Sequence, residues 1–179
     1  MPFDPVKPAA NSLLSSQEMR DQLNALKALL DALPAGAAGR VAADWTSGSA
    51  TFSDVAGLSF AVAAGENWSA EIVLSVISGT TGQGLKLRAT GPGAGAVVIA
   101  MQGTGTSGSS TIECEVQTAF SVAAPAKTFC SGANLVGVVR VHIVVVNATA
   151  GTVQLQAANS SGSGTVTIKA GSDLVARRT

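Results

Sequence analysis

The sequence predicts a mainly β fold, an antiparallel sandwich or barrel preceded by one short helix, and three observations carry that expectation. From residue 41 onward apolar residues recur with a period of two, as on a half-buried strand. Turn clusters such as "SGTTGQG", "TGPGAG", "GTGTSGSS", "NATAG" and "NSSGSG" punctuate the pattern about every 8 to 15 residues, with no crossover helix between them. Only the stretch before Pro34 has a helical repeat. With 179 residues the chain suits one well-cored domain and an appendage. Its 46% apolar and 12% charged residues, with 20 glycines, favour short strands and tight turns over disorder.

The order of segments follows. Residues 1–11, "MPFDPVKPAAN", hold three prolines and cannot join a helix. They read as an extended attachment segment built on Phe3, Pro5, Val6 and Pro8, or else as a frayed end. Residues 12–34 form the helix. Ser15 followed three positions on by Glu18 is the signature of a capping box, in which each residue satisfies a backbone N–H of the other's turn. Met19, Leu23, Leu26, Leu30 and Leu33 are spaced four, three, four and three, which sets them on a single a/d seam. So short a helix is marginal in water alone, so the seam predicts oligomerisation through identical helices, with packing on the rest of the chain as the alternative. Pro34 stops the helix, and residues 35–40 read as a linker.

Residues 41–179 form the β domain, with strands expected at 41–46, 50–55, 58–63, 68–78, 84–90, 95–102, 110–119, 126–130, 135–147, 151–158, 163–169 and 172–178. In "TIECEVQTAF" Ile112, Cys114 and Val116 face one way, and Glu113, Glu115 and Gln117 the other, with the two acids expected on the solvated side. "WSAEIVLSVIS" and "VVRVHIVVV" are apolar on both sides, the pattern of central strands or of a subunit interface. In the closing "SDLVARR", Leu174 and Ala176 alternate against Val175 and Arg177, so the last strand is expected to complete a sheet.

Eleven basic and eleven acidic residues cancel, which argues against nucleic-acid or anionic-membrane partners. The start lacks the basic end and apolar core of a secretory signal, and the longest apolar run, at 135–146, is too short for a membrane helix, so neither export nor membrane insertion is expected. Cys114 and Cys130 are expected as reduced thiols, a disulfide being the alternative.

No catalytic, cofactor-binding or metal site is expected. His142 is the single histidine and has no Cys, Asp or Glu at ligand spacing, so it reads as a packed or interface residue. "TGPGAGA" lacks the Lys and Ser/Thr of a phosphate loop. Aromatic residues make up 4% of the chain with no tyrosine, leaving few stacking platforms; Trp45 and Trp68 read as core or interface residues.

Two stretches carry a resemblance. The opening "MPFDPVKPAANSLLSSQEMRDQLNALKALLDAL" resembles the N-terminus of small bacteriophage virion proteins. The closing "VRVHIVVVNATAGTVQLQAANSSGSGTVTIKAGSDLVARR" is similar to the end of the β domain of tail-fibre, head-fibre and decoration proteins. The resemblance implies a jelly-roll-like β domain, a homotrimer joined by a three-helix coil, and a non-enzymatic structural role in the virion after synthesis in the host cytoplasm. The small size and the lack of shaft repeats favour a capsid decoration or head-fibre protein bound to the major capsid protein. The alternative is a tail fibre or a receptor- or glycan-binding module taking host-surface glycan.

Overall fold

A computed structural model of the chain describes residues 15–31, 36–80, 83–105, 112–123, 125, 127–132 and 134–179. The chain divides between Ala35 and Gly36 into two units.

The first unit contains α1, Ser16–Asp31. Its start is the capping box read from the sequence. The Glu18 amide donates to Ser15 Oγ at 3.1 Å, and Glu18 Oε2 accepts from the Ser15 amide at 2.9 Å, so two donors otherwise unpaired at a helix start are satisfied. Gln17 Nε2 donates to Asp21 one turn on, at 2.8 Å.

The second unit is an antiparallel two-layer sandwich. Its strands are β1 Gly36–Arg40, β2 Trp45–Ser47, β3 Ser53–Val62, β4 Trp68–Ser78, β5 Leu85–Thr90, β6 Ala94–Thr104, β7 Ile112–Gln117, β8 Val136–Ala148, β9 Gly151–Asn159, β10 Val166–Ile168 and β11 Asp173–Arg178. Among the described residues the small sheet runs β3-β9-β5 and the large sheet β1-β11-β4-β8-β6-β7, with β10 joining β4 beyond β11 and β2 beside β10. Leu85 of β5 also exchanges two backbone hydrogen bonds with Phe129, each 2.8 Å. The array β4-β8-β6-β7 over β3-β9-β5-Phe129, with the chain passing between layers at β3 to β4, β4 to β5, β5 to β6 and β8 to β9, is jelly-roll connectivity with its eighth strand reduced to one bridge.

The core lies between the layers. Ile72, Leu74, Ile99, Val141, Ile143 and Leu174 of the large sheet meet Leu58, Phe60, Leu87, Val153 and Leu155 of the small one, all buried. Alternation does this directly: every second residue of β4, β8 and β11 points inward. Trp68 packs against Phe60 with ring centroids 5.5 Å apart, and its indole N–H donates to Glu66 at 2.8 Å.

The terminal strand behaves as its pattern requires. β11 lies between β4 and β1, with Leu174 and Ala176 buried and Val175 and Arg177 outward. Other expectations change. Residues 36–40, expected as linker, are β1, because β11 offers a free edge whose backbone groups they satisfy. Their small side chains also permit a close crossing: a Cβ on either Gly39 or Gly57 would overlap the other segment's backbone, and Gly57 has φ +85°. The strands expected at 50–55 and 58–63 are one strand, β3, whose register with β9 shifts between Asp54 and Ser59 around that glycine. The strand expected at 41–46 shrinks to β2, and that at 126–130 to the Phe129 bridge.

Candidate functional site

Of the residues expected to oligomerise the chain, Met19, Leu23 and Leu26 lie on α1 with their side chains exposed, as does Leu29 beside the seam. Leu30 belongs to the helical backbone, while the side chain of Leu30 and the whole of Leu33 lie outside the described residues. So do the attachment residues Phe3, Pro5, Val6 and Pro8. Among the described residues no group of three or more His, Cys, Asp or Glu is placed to hold a metal ion. No described helix is long and apolar enough to cross a membrane.

The surface that departs most from an ordinary soluble sandwich is the outer face of the large sheet. Antiparallel pairing sets its residues in rows across the strands. One row runs Val175, Glu71, His142, Ala100 and Val116; the next runs Arg40, Asp173, Val73, Arg140, Gln102 and Cys114. Val98, Val136, Val138 and Val146 stand on the same side of β6 and β8, again exposed. The apolar character of β8 on both sides, legible in "VVRVHIVVV", thus has an explanation on only one side within a single chain: the inner valines fill the core, and the outer ones meet solvent.

β7 overturns the expected facing. Ile112 and Val116 are 63% and 65% exposed and Cys114 is also outward, while Glu115 and Gln117 are buried. The acids expected in solvent hold the returning chain instead. Glu115 Oε2 accepts the Lys127 amide at 2.9 Å, Glu113 pairs with the Lys127 ammonium at 2.9 Å, and Gln117 Nε2 donates to the Leu87 carbonyl of β5 at 3.2 Å. Glu113 in turn raises the Lys127 pKa by accepting a hydrogen bond from its ammonium and by its negative charge. From β7, Glu115 thus satisfies a backbone amide of the returning segment and Gln117 a backbone carbonyl of β5. The consequence is that the apolar side of β7 joins the exposed face.

At the centre of the face is a shallow depression of about 350 Å³ lined by Glu71, Val73, Gln102, Cys114, Arg140 and His142 among others. His142 Nε2 lies 3.0 Å from Ser69 Oγ, and Glu71 stands opposite His142 on β4. Cys114 and Cys130 are free thiols. Cys130 is buried under Gly137, and desolvation pushes its pKa up to about 11, which leaves it unreactive. The depression thus brings the Glu71 carboxylate, the Arg140 guanidinium, the His142 imidazole and the Cys114 thiol onto one side of the sheet.

Two further carboxylates fasten the chain beside β11 and β10. Glu66 accepts from the Ala63 amide, the Trp68 indole and the Arg178 guanidinium, which together hold its carboxyl down to about 2. Asp44 is lowered likewise, first by Lys169 and then by the Ala170 amide.

No protein-family model and no curated protein matches the chain. Three solved structures of infectious bursal disease virus overlay it: the Gt strain at 10% identity and TM-score 0.24, the VP2 subviral particle at 12% and 0.25, and the Gx strain at 13% and 0.26. Each alignment covers 82% of this chain, which spans about two fifths of the length of those chains (38%, 40% and 40%). A superposition this loose sets neither family nor function.

Proposed function

We propose that the chain is a non-enzymatic virion structural protein, a trimeric capsid decoration or head-fibre protein anchored by its N-terminal segment. The observation that supports it is the pairing of two uncovered apolar surfaces in one chain: the Met19, Leu23 and Leu26 side of α1 and the outer face of the large sheet. Uncovered apolar side chains grouped on one helix side and on one sheet face mark surfaces that subunits of an assembly cover when they assemble. The resemblance of both ends of the sequence to bacteriophage virion proteins supplies the setting. In this reading the helices join three chains, Phe3, Pro5, Val6 and Pro8 attach them to the major capsid protein, and the sandwich caps or projects from the particle.

The test is the solution mass of the full chain by light scattering, followed by co-sedimentation with capsids of its own virus prepared without it. A trimer that binds those capsids, and loses binding when Phe3 and Val6 are replaced by Asp, is the expected result. A monomer, or a trimer indifferent to the capsids, overturns the proposal.

A further inference from the structure

We infer that the β8-β6-β7 half of the outer face is buried against neighbouring copies of this same chain, an inference that rests on the trimeric reading above and identifies the surface it uses. The face is divided. Its β8-β6-β7 half carries Val98, Ile112, Val116, Val136, Val138 and Val146, all exposed, and Arg140 is its single formal charge at neutral pH. Its β1-β11-β4 half carries Arg40, Arg177, Glu71 and Asp173, two of each sign, set across neighbouring strands. An apolar half beside a charge-balanced one suits a protein interface, whose buried part is depleted in charge.

The charges select the occupant. A half with equal numbers of opposite charges gives no net attraction to a nucleic acid or to a strongly acidic or basic partner. Another copy of this chain, however, carries the same balanced set of charges, so in a head-to-tail ring its acidic groups can be set against basic ones without a like-charge penalty. β7 adds an independent reason. By turning Glu113, Glu115 and Gln117 inward it leaves only Ile112, Cys114 and Val116 outside, which makes an edge strand that in a lone chain would invite aggregation. Gathered around a common axis, three such strands are covered.

Cys114 reports on this directly, since it stands on the apolar half, whereas Cys130 is buried in the core. The experiment follows the reaction of the full chain with a disulfide thiol reagent, alongside its mass by light scattering, with Cys114→Ser to assign the signal. A comparison chain carries Val116→Asp and Val138→Asp, both at exposed positions; Val116→Thr with Val138→Thr replaces it if the Asp pair does not fold. Burial against copies predicts an oligomer in which Cys114 reacts at least about tenfold more slowly than in the comparison chain. An oligomer whose Cys114 reacts equally fast in both overturns this inference and leaves the trimeric reading standing. Protection that appears only when capsids are added also overturns it, by assigning the face to another protein. A monomeric full chain overturns both.

Discussion

β7 and β11 are both six-residue strands of one sheet with strict alternation, yet they use it in opposite senses. β11 buries Leu174 and Ala176 and sends Arg177 outward. β7 buries Glu115 and Gln117 and sends Ile112 and Val116 outward. The difference lies in what each strand has beneath it. β11 lies over the small sheet at β3, while β7 turns Glu115 to the Lys127 amide of the returning segment and Gln117 to the Leu87 carbonyl of β5. The period of a strand follows from its own residues; its facing follows from its neighbours.

The largest effect that tests this contrast is at Leu174. Leu174→Ala removes a fully buried side chain and should cost about 2–5 kcal/mol in urea unfolding, the range for such truncations in a core. A loss below 1 kcal/mol, about the level of a surface change, would place β11 outside the core. Next is Glu115→Ala. It leaves the Lys127 amide without its side-chain acceptor and should cost about 1–3 kcal/mol, with faster hydrogen exchange at that amide. If exchange there is unchanged, the inward polar side of β7 does not hold the segment.

Smaller still is the fastening of β11 by Arg178 to Glu66, 3.0 Å apart. Because the folded chain holds the Glu66 carboxyl at about 2 against an ordinary 4.5, the folded state binds its proton more weakly than the unfolded one. The stabilisation is therefore complete above 4.5 and lost as pH falls through about 2. Glu66→Gln should flatten the fall in melting temperature over that window; an identical pH profile would remove the carboxylate from the account. The smallest intrinsic effect is expected at Val116→Thr, within about 0.5 kcal/mol for an exposed position in an isolated chain. A larger loss that grows with protein concentration would instead report burial of the face in an assembly.

Much of this was legible in advance. The capping box at Ser15 and Glu18, the span of β4, the closing strand and its inward Leu174 all follow from short-range chemistry, which the sequence displays in full. What escaped it were matters of long-range pairing. A glycine-rich stretch at 36–40 resembles a linker until β11 supplies an edge, and residues 126–130 resemble a strand although, among the described ones, only Phe129 pairs with a strand residue as a β-bridge. The exposed face was half visible: "VVRVHIVVV" was apolar on both sides, but nothing in "TIECEVQ" tells which side meets the core.

That the chain is mainly β with one capped helix could be read from its residue order alone, because periods, turns and caps depend on residues a few positions apart. Which side of each strand is inside, and that the β8-β6-β7 part of the outer face is left mainly apolar, came only with the folded chain. Those outcomes depend on which backbone groups, brought close by the fold from far along the chain, had to be satisfied.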